Sequence, residues 1–587
     1  MIQKKWRIRE HPNPATVNHL QEALNVPQVV AHMLVQRDIT TFEGARAFFR
    51  PTYDDLHDPF LMKDMDGAVA RLAQAIAQQE KIMIYGDYDV DGTTAVSLVY
   101  GFLKQHHSAI DYYIPDRYAE GYGVSEAGVR YAAAQGITLL ITLDCGIKAV
   151  EKVALAKSLG VDVIICDHHT PGNELPDAFV LDPKREDCSY PYKELSGCGV
   201  GFKLLDALCT HQNWDKKTLY EHLDLLAISI GADIVPITGE NRMFCQFGLK
   251  QLNESPSKGI KRLLALAQKP FPLRLVDVVF VIAPRINAAG RMGDAKEAVK
   301  LLLATDEDEV KNYAKAIHEA NEERRAVDES ITEEAIALLN AKPQHAERCT
   351  NFVYKKGWHK GVIGIVASRI IESFYRPTVV LTQPEDSAIY TASVRSIKGV
   401  NIYEVLEACS DLLTQFGGHY YAAGLSVHED NLSAFEQRFE AEVRSRIDDE
   451  TLIPEQVLER TIDFDELFEI GESLYTVPKF MRILTQFEPH GPSNMKPVFH
   501  AENVYAHDVR ILKEKHLKFV LSQPDNRPKL NAIIFNRPDL YNTLTSGQPL
   551  SIVFTLEINE WQGKSSLQLM VKDIRPVVEF VDSQLET

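Results

Sequence analysis

The sequence predicts an α/β protein built first around a parallel sheet, and three observations lead there. Short apolar blocks alternate with amphipathic stretches, those stretches are long enough to cross a sheet, and two acidic clusters follow directly on apolar blocks. The blocks cover residues 81–86, 110–115, 138–144, 162–166 and 178–182. Residues 93–105, 125–135 and 147–159 carry apolar side chains at helical spacing, so strand and helix alternate as parallel pairing requires.

In such a sheet all strands point one way, and side chains just past their carboxyl ends converge on one crevice. Asp87, Asp89, Asp91, Arg117, Asp144, Asp167, His168, His169 and Asp182 all fall there. Several carboxylates and two histidines in one pocket would repel each other and be costly to desolvate without a cation among them. Mixed oxygen and imidazole donors suit manganese, with magnesium or zinc also admissible; an all-thiolate set would have signalled structural zinc. Two cations about 3.5–4 Å apart would activate a water and hold phosphoryl oxygens, the usual arrangement for phosphodiester hydrolysis. A calcium loop is excluded, because the position that needs a bidentate Glu is Leu98. Asp89-Val90-Asp91-Gly92-Thr93 also resembles the nucleophile loop of haloacid-dehalogenase-like phosphatases, but Gly86-Asp87-Tyr88 separates it from the apolar run.

The clearest helix follows. Val310, Ala314, Ile317, Asn321, Arg324, Val327, Ile331, Ala335 and Leu338 keep a spacing of three and four, and the pattern stops before Pro343. At about 30 residues it would span about 45 Å, long enough to join two lobes across a groove; periodicity alone allows equally that it packs on one domain. A second α/β block comes next, with strands expected at 351–355, 378–382 and 389–395 and a helix at 361–374. Its glycines at Phe416-Gly417-Gly418-His419 would let a backbone approach a phosphate, which Arg395 could grip bidentately; the alternative is a glycine-rich turn with a capping His. After an acidic helix at 431–447, five β-rich blocks at 499–509, 516–521, 529–535, 550–558 and 565–571 suit a small barrel, and an OB-fold is a frequent single-strand binder. Turn residues such as Pro524-Asp525-Asn526 and Gln562-Gly563-Lys564 separate them.

Composition narrows the class. A chain of 587 residues exceeds one ordinary core. No apolar run is long enough to cross a membrane, and the basic start at residues 1–9 lacks the apolar segment of a signal peptide, so a cytoplasmic protein is expected. The eight cysteines are scattered without paired spacing, as reduced buried thiols would be. A net charge of −19 argues against coating DNA nonspecifically. Acidity concentrates in the proposed metal site and at 306–334 and 429–459; Lys355, Lys356 and Lys360, Arg395 with Lys398, and Lys513, Lys515 and Lys518 concentrate positive charge, so strong charge segregation is expected.

With these features in place the chain resembles the DHH phosphoesterase superfamily, and within it the RecJ family of single-stranded-DNA exonucleases. The matching segments are Tyr85-Gly86-Asp87-Tyr88-Asp89-Val90-Asp91-Gly92, Pro115-Asp116-Arg117 with Glu120-Gly121-Tyr122-Gly123, Leu143-Asp144-Cys145-Gly146, and Asp167-His168-His169. They continue through Gly197-Cys198-Gly199-Val200-Gly201-Phe202-Lys203, Ala232-Asp233-Ile234-Val235-Pro236 and Pro284-Arg285-Ile286-Asn287-Ala288-Ala289-Gly290-Arg291-Met292. Phe487-Glu488-Pro489-His490-Gly491-Pro492-Ser493-Asn494 resembles the entry to the family's C-terminal barrel.

The resemblance implies a parallel-sheet DHH domain joined by a long helix to an α/β DHHA1 domain, then a C-terminal OB-fold barrel. The implied division is an N-terminal segment at 1–59, the DHH catalytic domain at 60–240, a helical region with the connector at 241–345, DHHA1 at 346–450 and the barrel at 451–587. It implies Asp89, Asp91, Asp144, His168 and Asp233 as metal ligands, with Asp144 and Asp233 bridging two divalent cations, Mn2+ in preference to Mg2+. His169 is implied as a ligand or a contact to the scissile phosphate, and Asp87 and Asp167 as residues that orient ligands. Arg117, Arg291, Ser393 and Arg395, with Gly417, Gly418 and His419, would hold the 5′-terminal phosphate while Tyr122 stacks on or wedges against the first base. The implied activity is 5′→3′ hydrolysis of single-stranded DNA to 5′-mononucleotides in repair and recombination, by a monomer cooperating with a RecQ-type helicase and single-stranded-DNA-binding protein. A DHH phosphodiesterase of short oligonucleotides or cyclic dinucleotides would share the ligands but need neither the barrel nor the length. A non-catalytic DHH scaffold would have lost ligands, and none of those named is replaced.

Overall fold

Strands covered by helices on both faces must be apolar throughout, and every residue of Ile82–Gly86 and Leu139–Leu143 is buried in the computed structural model. The structure describes residues 4–577 apart from 385–386, 470, 474–475, 525–527 and 562. Asp525, Asn526 and Gln562 of the expected turns therefore lie outside the described residues. The first sheet runs Ile110–Tyr113, Ile82–Gly86, Leu139–Leu143, Asp162–Cys166, Phe179–Leu181, all parallel. The chain steps outward from Ile82–Gly86 to Ile110–Tyr113, then returns to the other side at Leu139–Leu143. That reversal opens a crevice at the carboxyl ends of Ile82–Gly86 and Leu139–Leu143. Helix Val90–Leu103 packs on the sheet and against helices Gly197–Gln212 and Leu223–Asp233, both largely buried.

Helix Glu307–Ala341 has 35 residues and starts at Asp306, whose carboxylate accepts from the amides of Asp308 and Glu309 at 3.0 Å. Its first half, through Ala314 and Ile317, belongs to the core of the first lobe, and its second half, through Ile331, Ala335 and Leu339, to that of the second. It is thus shared between lobes rather than packed on one. The stripe drifts along so long a helix: Asp328 is fully buried, and the last apolar contact is Leu339, while Leu338 is 39% exposed. Between the apolar halves, Arg324 and Arg369 close on Asp328 at 3.4 and 2.8 Å.

The second lobe has a mixed sheet ordered Gln415–Gly418, Ala422–His428, Ile389–Arg395, Thr378–Thr382, Asn351–Tyr354, with helix Ile363–Ser373 packed on it. The glycines at 417 and 418 are not a turn. They end an edge strand, and His419 to Tyr421 make the connection to the next strand.

The C-terminal strands close a barrel in the order Phe499–Leu512, His516–Ser522, Leu530–Ile534, Lys564–Pro576, Leu550–Trp561. The N-terminal segment shares its core: Val17, Leu20, Val29 and Val30 pack with Phe480, Phe487 and Phe499, and strand Lys5–Ile8 pairs with Glu455–Leu458. Arg37, buried, binds Glu459 at 3.0 Å. All eight cysteines are buried free thiols. Among the described residues, no helix is long and apolar enough to cross a membrane. Of the lysines expected to mark positive surface, Lys355, Lys356 and Lys398 each face a glutamate, Glu334, Glu429 and Glu455 respectively, which tempers the expected segregation of charge.

Candidate functional site

Four separate segments bring carboxylates and imidazoles together at the crevice. After strand Ile82–Gly86 the chain turns into helix Val90–Leu103, and Asp89 caps it, accepting from the Gly92 amide at 3.0 Å. The turn is so tight that a Cβ on Gly92 would sit 2.3 Å from the Asp87 carbonyl oxygen. Asp91 is held from the opposite side by the amides of Gly197 and Cys198, at 2.7 and 2.8 Å, at the start of helix Gly197–Gln212, and by the Ser229 hydroxyl at 2.7 Å. Burial, then the neighbouring Asp89 charge, nevertheless push its carboxyl up to about 6.

Asp144 leaves strand Leu139–Leu143 in the left-handed region, at φ 59°, and a Cβ on Gly197 would meet its Cβ at 2.6 Å. Asp233 ends helix Leu223–Asp233. The next residue, Ile234, is also left-handed at φ 62°, costly for a β-branched side chain, and is 65% exposed. A left-handed backbone therefore sits at one predicted ligand position, Asp144, and directly after another, Asp233.

His168 is the hub. Its Nε2 lies 3.1 Å from Asp144, 3.6 Å from Asp233 and 3.8 Å from Asp91. Burial, then His169, hold the imidazole down at about 3, so its nitrogen faces the carboxylates as a lone-pair donor. Burial and the surrounding carboxylates push Asp144 and Asp233 well above the usual carboxylate range. Two groups form: Asp144, His168 and His169, and Asp91, His168 and Asp233, each with donor atoms within 4.8 Å of one another. A divalent cation would relieve the repulsion and use the unprotonated nitrogen, so the donor set fits the expected metal.

His169 is clamped by Asp167, Nδ1 to Oδ1 at 2.8 Å, and its Nε2 is 3.0 Å from the Tyr122 hydroxyl. Asp167 also accepts from the amides of Ile147 and His168, at 2.9 and 2.8 Å. Burial would raise Asp167, but the hydrogen bond and charge of His169 outweigh it and hold the carboxyl at about 2; burial opposes the same bond on His169, whose imidazole is raised on balance. Asp89 and Asp87 stand outside both groups. Asp89 lines the adjoining acidic cavity, and Asp87 accepts from the Gly123 amide at 3.3 Å with its other oxygen unpartnered. Asp182, expected in the crevice, is buried beneath it and accepts from the Lys184 amide at 2.7 Å.

Where the lobes face each other, a cavity of about 470 Å³ is lined by Arg117, Arg291, Lys360, Ser393, Arg395 and Gly417. Arg395 donates to the Ser393 hydroxyl at 3.1 Å, Arg291 to the Gly361 carbonyl at 2.9 Å, and the Arg117 guanidinium lies 4.7 Å over the Tyr88 ring. None of the three has an ion-pair partner among the described residues. Burial, then mutual repulsion, draw Arg291 down to about 10 and lower Arg395. Such a cluster demands an anion. The acidic cavity, about 320 Å³, adjoins it, and the two share Tyr88, Arg117, Tyr122 and Arg291.

Two expected phosphate-site residues lie elsewhere. Gly418 and His419 do not line the arginine cavity; His419 instead faces His169 across the lobes, ring centroids 6.3 Å apart and 21° from parallel. Tyr122 is 56% exposed between the two cavities, with its hydroxyl on the Asp144 carbonyl at 3.2 Å. Sequence reading missed Ser229, which grips Asp91, and Tyr118, whose hydroxyl donates to the Arg291 carbonyl at 2.5 Å. Ser229 lies one helical turn before Asp233, a usable signal; Tyr118 is marked only by its neighbour Arg117.

The chain is similar to known proteins along most of its length. The profile of the DHH family, N-terminal domain, matches residues 81–230, that of the DHHA1 domain residues 348–445, and that of the RecJ OB domain residues 474–573. The single-stranded-DNA-specific exonuclease RecJ of Bacillus subtilis (strain 168) is 38% identical over 573 residues, covering 97% of this chain and 70% of that protein. The exonuclease of the same name from Escherichia coli (strain K12) is 33% identical over 536 residues, 88% of this chain and 91% of that one. The crystal structure of RecJ in complex with Mn2+ from Thermus thermophilus superposes with a TM-score of 0.82 at 28% identity, over 97% of this chain and 79% of that one.

Proposed function

Because the chain belongs to the RecJ family of single-stranded-DNA-specific exonucleases, we propose that its interlobe crevice hydrolyses DNA stepwise from the 5′ end, releasing 5′-mononucleotides in DNA repair and recombination. The observation that carries this reading is the shared wall. A cationic cavity that can hold a terminal phosphate adjoins a carboxylate and imidazole centre that can hold divalent cations, so cleavage falls one nucleotide from an anchored end.

Asp91, Asp144, His168 and Asp233, with His169, would hold two cations, Mn2+ in preference, and Asp89 would stand at the margin. Support comes from the two donor groups and from one relative crystallised both with Mn2+ and with Mg2+. His168 belongs to both groups, but an imidazole nitrogen has one lone pair and serves one ion. The carboxylates of Asp144 and Asp233 on either side of it, with two oxygens each, would be the residues able to serve both cations. When bound, the cations supply the charge that makes water nucleophilic at neutral pH and offsets charge on the phosphoryl oxygens.

The protein's own groups do the rest. Arg117, Arg291 and Arg395, with Ser393, grip the 5′-phosphate, and their fixed hydrogen bonds keep the cluster preorganised. Tyr122 stands between phosphate cavity and acidic centre, placed to separate the first base from the next. His169 is held through Nδ1 by Asp167, which leaves Nε2, beside the Tyr122 hydroxyl, as the nitrogen that would carry a proton to a phosphoryl oxygen. The same reading makes the enzyme a cytoplasmic monomer working with a RecQ-type helicase and single-stranded-DNA-binding protein; family resemblance alone supports these partners.

The test is digestion of 5′-labelled single strands, 3′-labelled single strands, duplexes and RNA with manganese or magnesium. Release of labelled mononucleotide first from the 5′-labelled single strand is the expected result. Mononucleotide released first from the 3′ label, or internal cuts, would refute the polarity.

A further inference from the structure

The lobes also face each other at His169, outside the arginine cavity. There the His419 ring stands opposite that of His169 at 6.3 Å. His419 opens the connection between the edge strand Gln415–Gly418 and Ala422–His428, and the next two residues are Tyr420 and Tyr421. Hairpin connections favour small polar residues and glycine. Here two tyrosines stand 40% and 55% exposed with ring centroids 4.6 Å apart, and neither belongs to a core cluster.

Their backbone is fixed. The His419 amide donates to the Ala422 carbonyl at 2.9 Å, the Ile402 amide to the Tyr420 carbonyl at 2.9 Å and the Ser396 amide to the Tyr421 carbonyl at 2.8 Å. Ser396 follows Arg395 of the phosphate cavity, so the aromatic pair is tied to the same frame that positions the anchor. Near His419, burial, then His169, Lys148 and Lys184 of the first lobe, lower its imidazole. Lys184 leans on Glu194 at 3.5 Å, whereas Lys148 is exposed and has no carboxylate partner among the described residues.

We propose that Tyr420 and Tyr421, with Lys148 near the adjoining His419, form a second strand-binding subsite: bases beyond the scissile phosphate stack on the tyrosines while Lys148 takes a backbone phosphate of the same stretch. The inference rests on the exonuclease reading above. Two exposed aromatic faces next to His419, which links them to His169 of the crevice, and an unpaired cation near the same histidine match what a single strand presents, and stacking tolerates any base. The subsite would make affinity depend on strand length while leaving the chemistry at the scissile bond to the crevice.

The experiment compares wild type, Y420A/Y421A, Y420F/Y421F and Lys148→Ala with manganese on two 5′-phosphorylated substrates, a dinucleotide and an oligothymidylate of about 20 nucleotides. Y420A/Y421A is expected to raise KM for the oligonucleotide about tenfold with kcat within about twofold, and to raise KM for the dinucleotide by less than about threefold. Y420F/Y421F should restore binding, and Lys148→Ala should flatten the salt dependence of oligonucleotide KM. A 2-aminopurine placed third from the 5′ end should be quenched on binding to wild type and not to Y420A/Y421A. Equal losses on both substrates, an unchanged oligonucleotide KM, or a phenylalanine variant as weak as the alanine one would overturn the subsite. Each result leaves wild-type mononucleotide release intact, so failure of the exonuclease reading itself would be seen separately, as its absence.

Discussion

The Nε2 of His168 lies 3.1 Å from Oδ1 of Asp144, although the two residues leave the sheet from different strands. Parallel pairing of Leu139–Leu143 with Asp162–Cys166 makes the contact, because both strands end at the same level and both tails turn into the crevice. Without a cation this imidazole and its three carboxylate neighbours are held together against their own repulsion.

Manganese should therefore stabilise the protein, and more so at higher pH. Asp91 titrates at about 6 in the fold, above its ordinary 3.8. Its contribution to folding without metal is fully present below 3.8 and is lost as pH rises through about 6. Thermal unfolding with and without manganese at pH 5.5 and 7.5 should show the larger gain at pH 7.5, and His168→Ala should lose most of it and more than about 100-fold of the activity. Equal gains at both pH values, or undiminished metal stabilisation in His168→Ala, would contradict the site.

Asp167→Asn keeps the shape but removes the charge that orients His169. Turnover is expected to fall about 10- to 100-fold while the metal-induced thermal shift persists. Loss of that shift would mean Asp167 acts on the metal ligands instead.

Arg395→Ala removes one charged donor from the terminal-phosphate cavity. Preference for 5′-phosphate over 5′-hydroxyl ends should drop about tenfold or more, mostly through KM, since charge-assisted bonds contribute about 1.5–3 kcal/mol. An unchanged preference would reassign the cavity.

Gly92→Ala tests the tight turn. The added methyl would meet the Asp87 carbonyl oxygen at 2.3 Å, with backbone rather than a flexible side chain in its way. A destabilisation of about 1–3 kcal/mol and loss of most activity are expected, read by denaturant unfolding and by nuclease assay. A stable, active variant would show that the loop has room to shift.

The elements were largely legible before the fold was known. The alternation of residues 81–182 appears as strands Ile82–Gly86 through Phe179–Leu181, and the barrel strands lie where β-rich blocks were expected. The site was legible in part. Asp91, Asp144, His168 and Asp233 converge, and Arg117, Arg291, Ser393 and Arg395 share one cavity. Asp89 caps a helix outside the donor groups, and His419 turned up opposite His169 instead of with the arginines, because a hairpin's side chains are aimed by strand pairing that no local pattern records.

Left to itself, the order of residues determined which segments become strands and helices and which acids stand at strand ends, because periodicity, caps and tight glycine turns act over a few neighbours. Only tertiary structure decided that one helix serves both lobes, that the N-terminal segment completes the barrel's core, and that His168 meets three carboxylates from distant segments. Those outcomes depend on which buried faces find one another, and burial is a property of the whole chain.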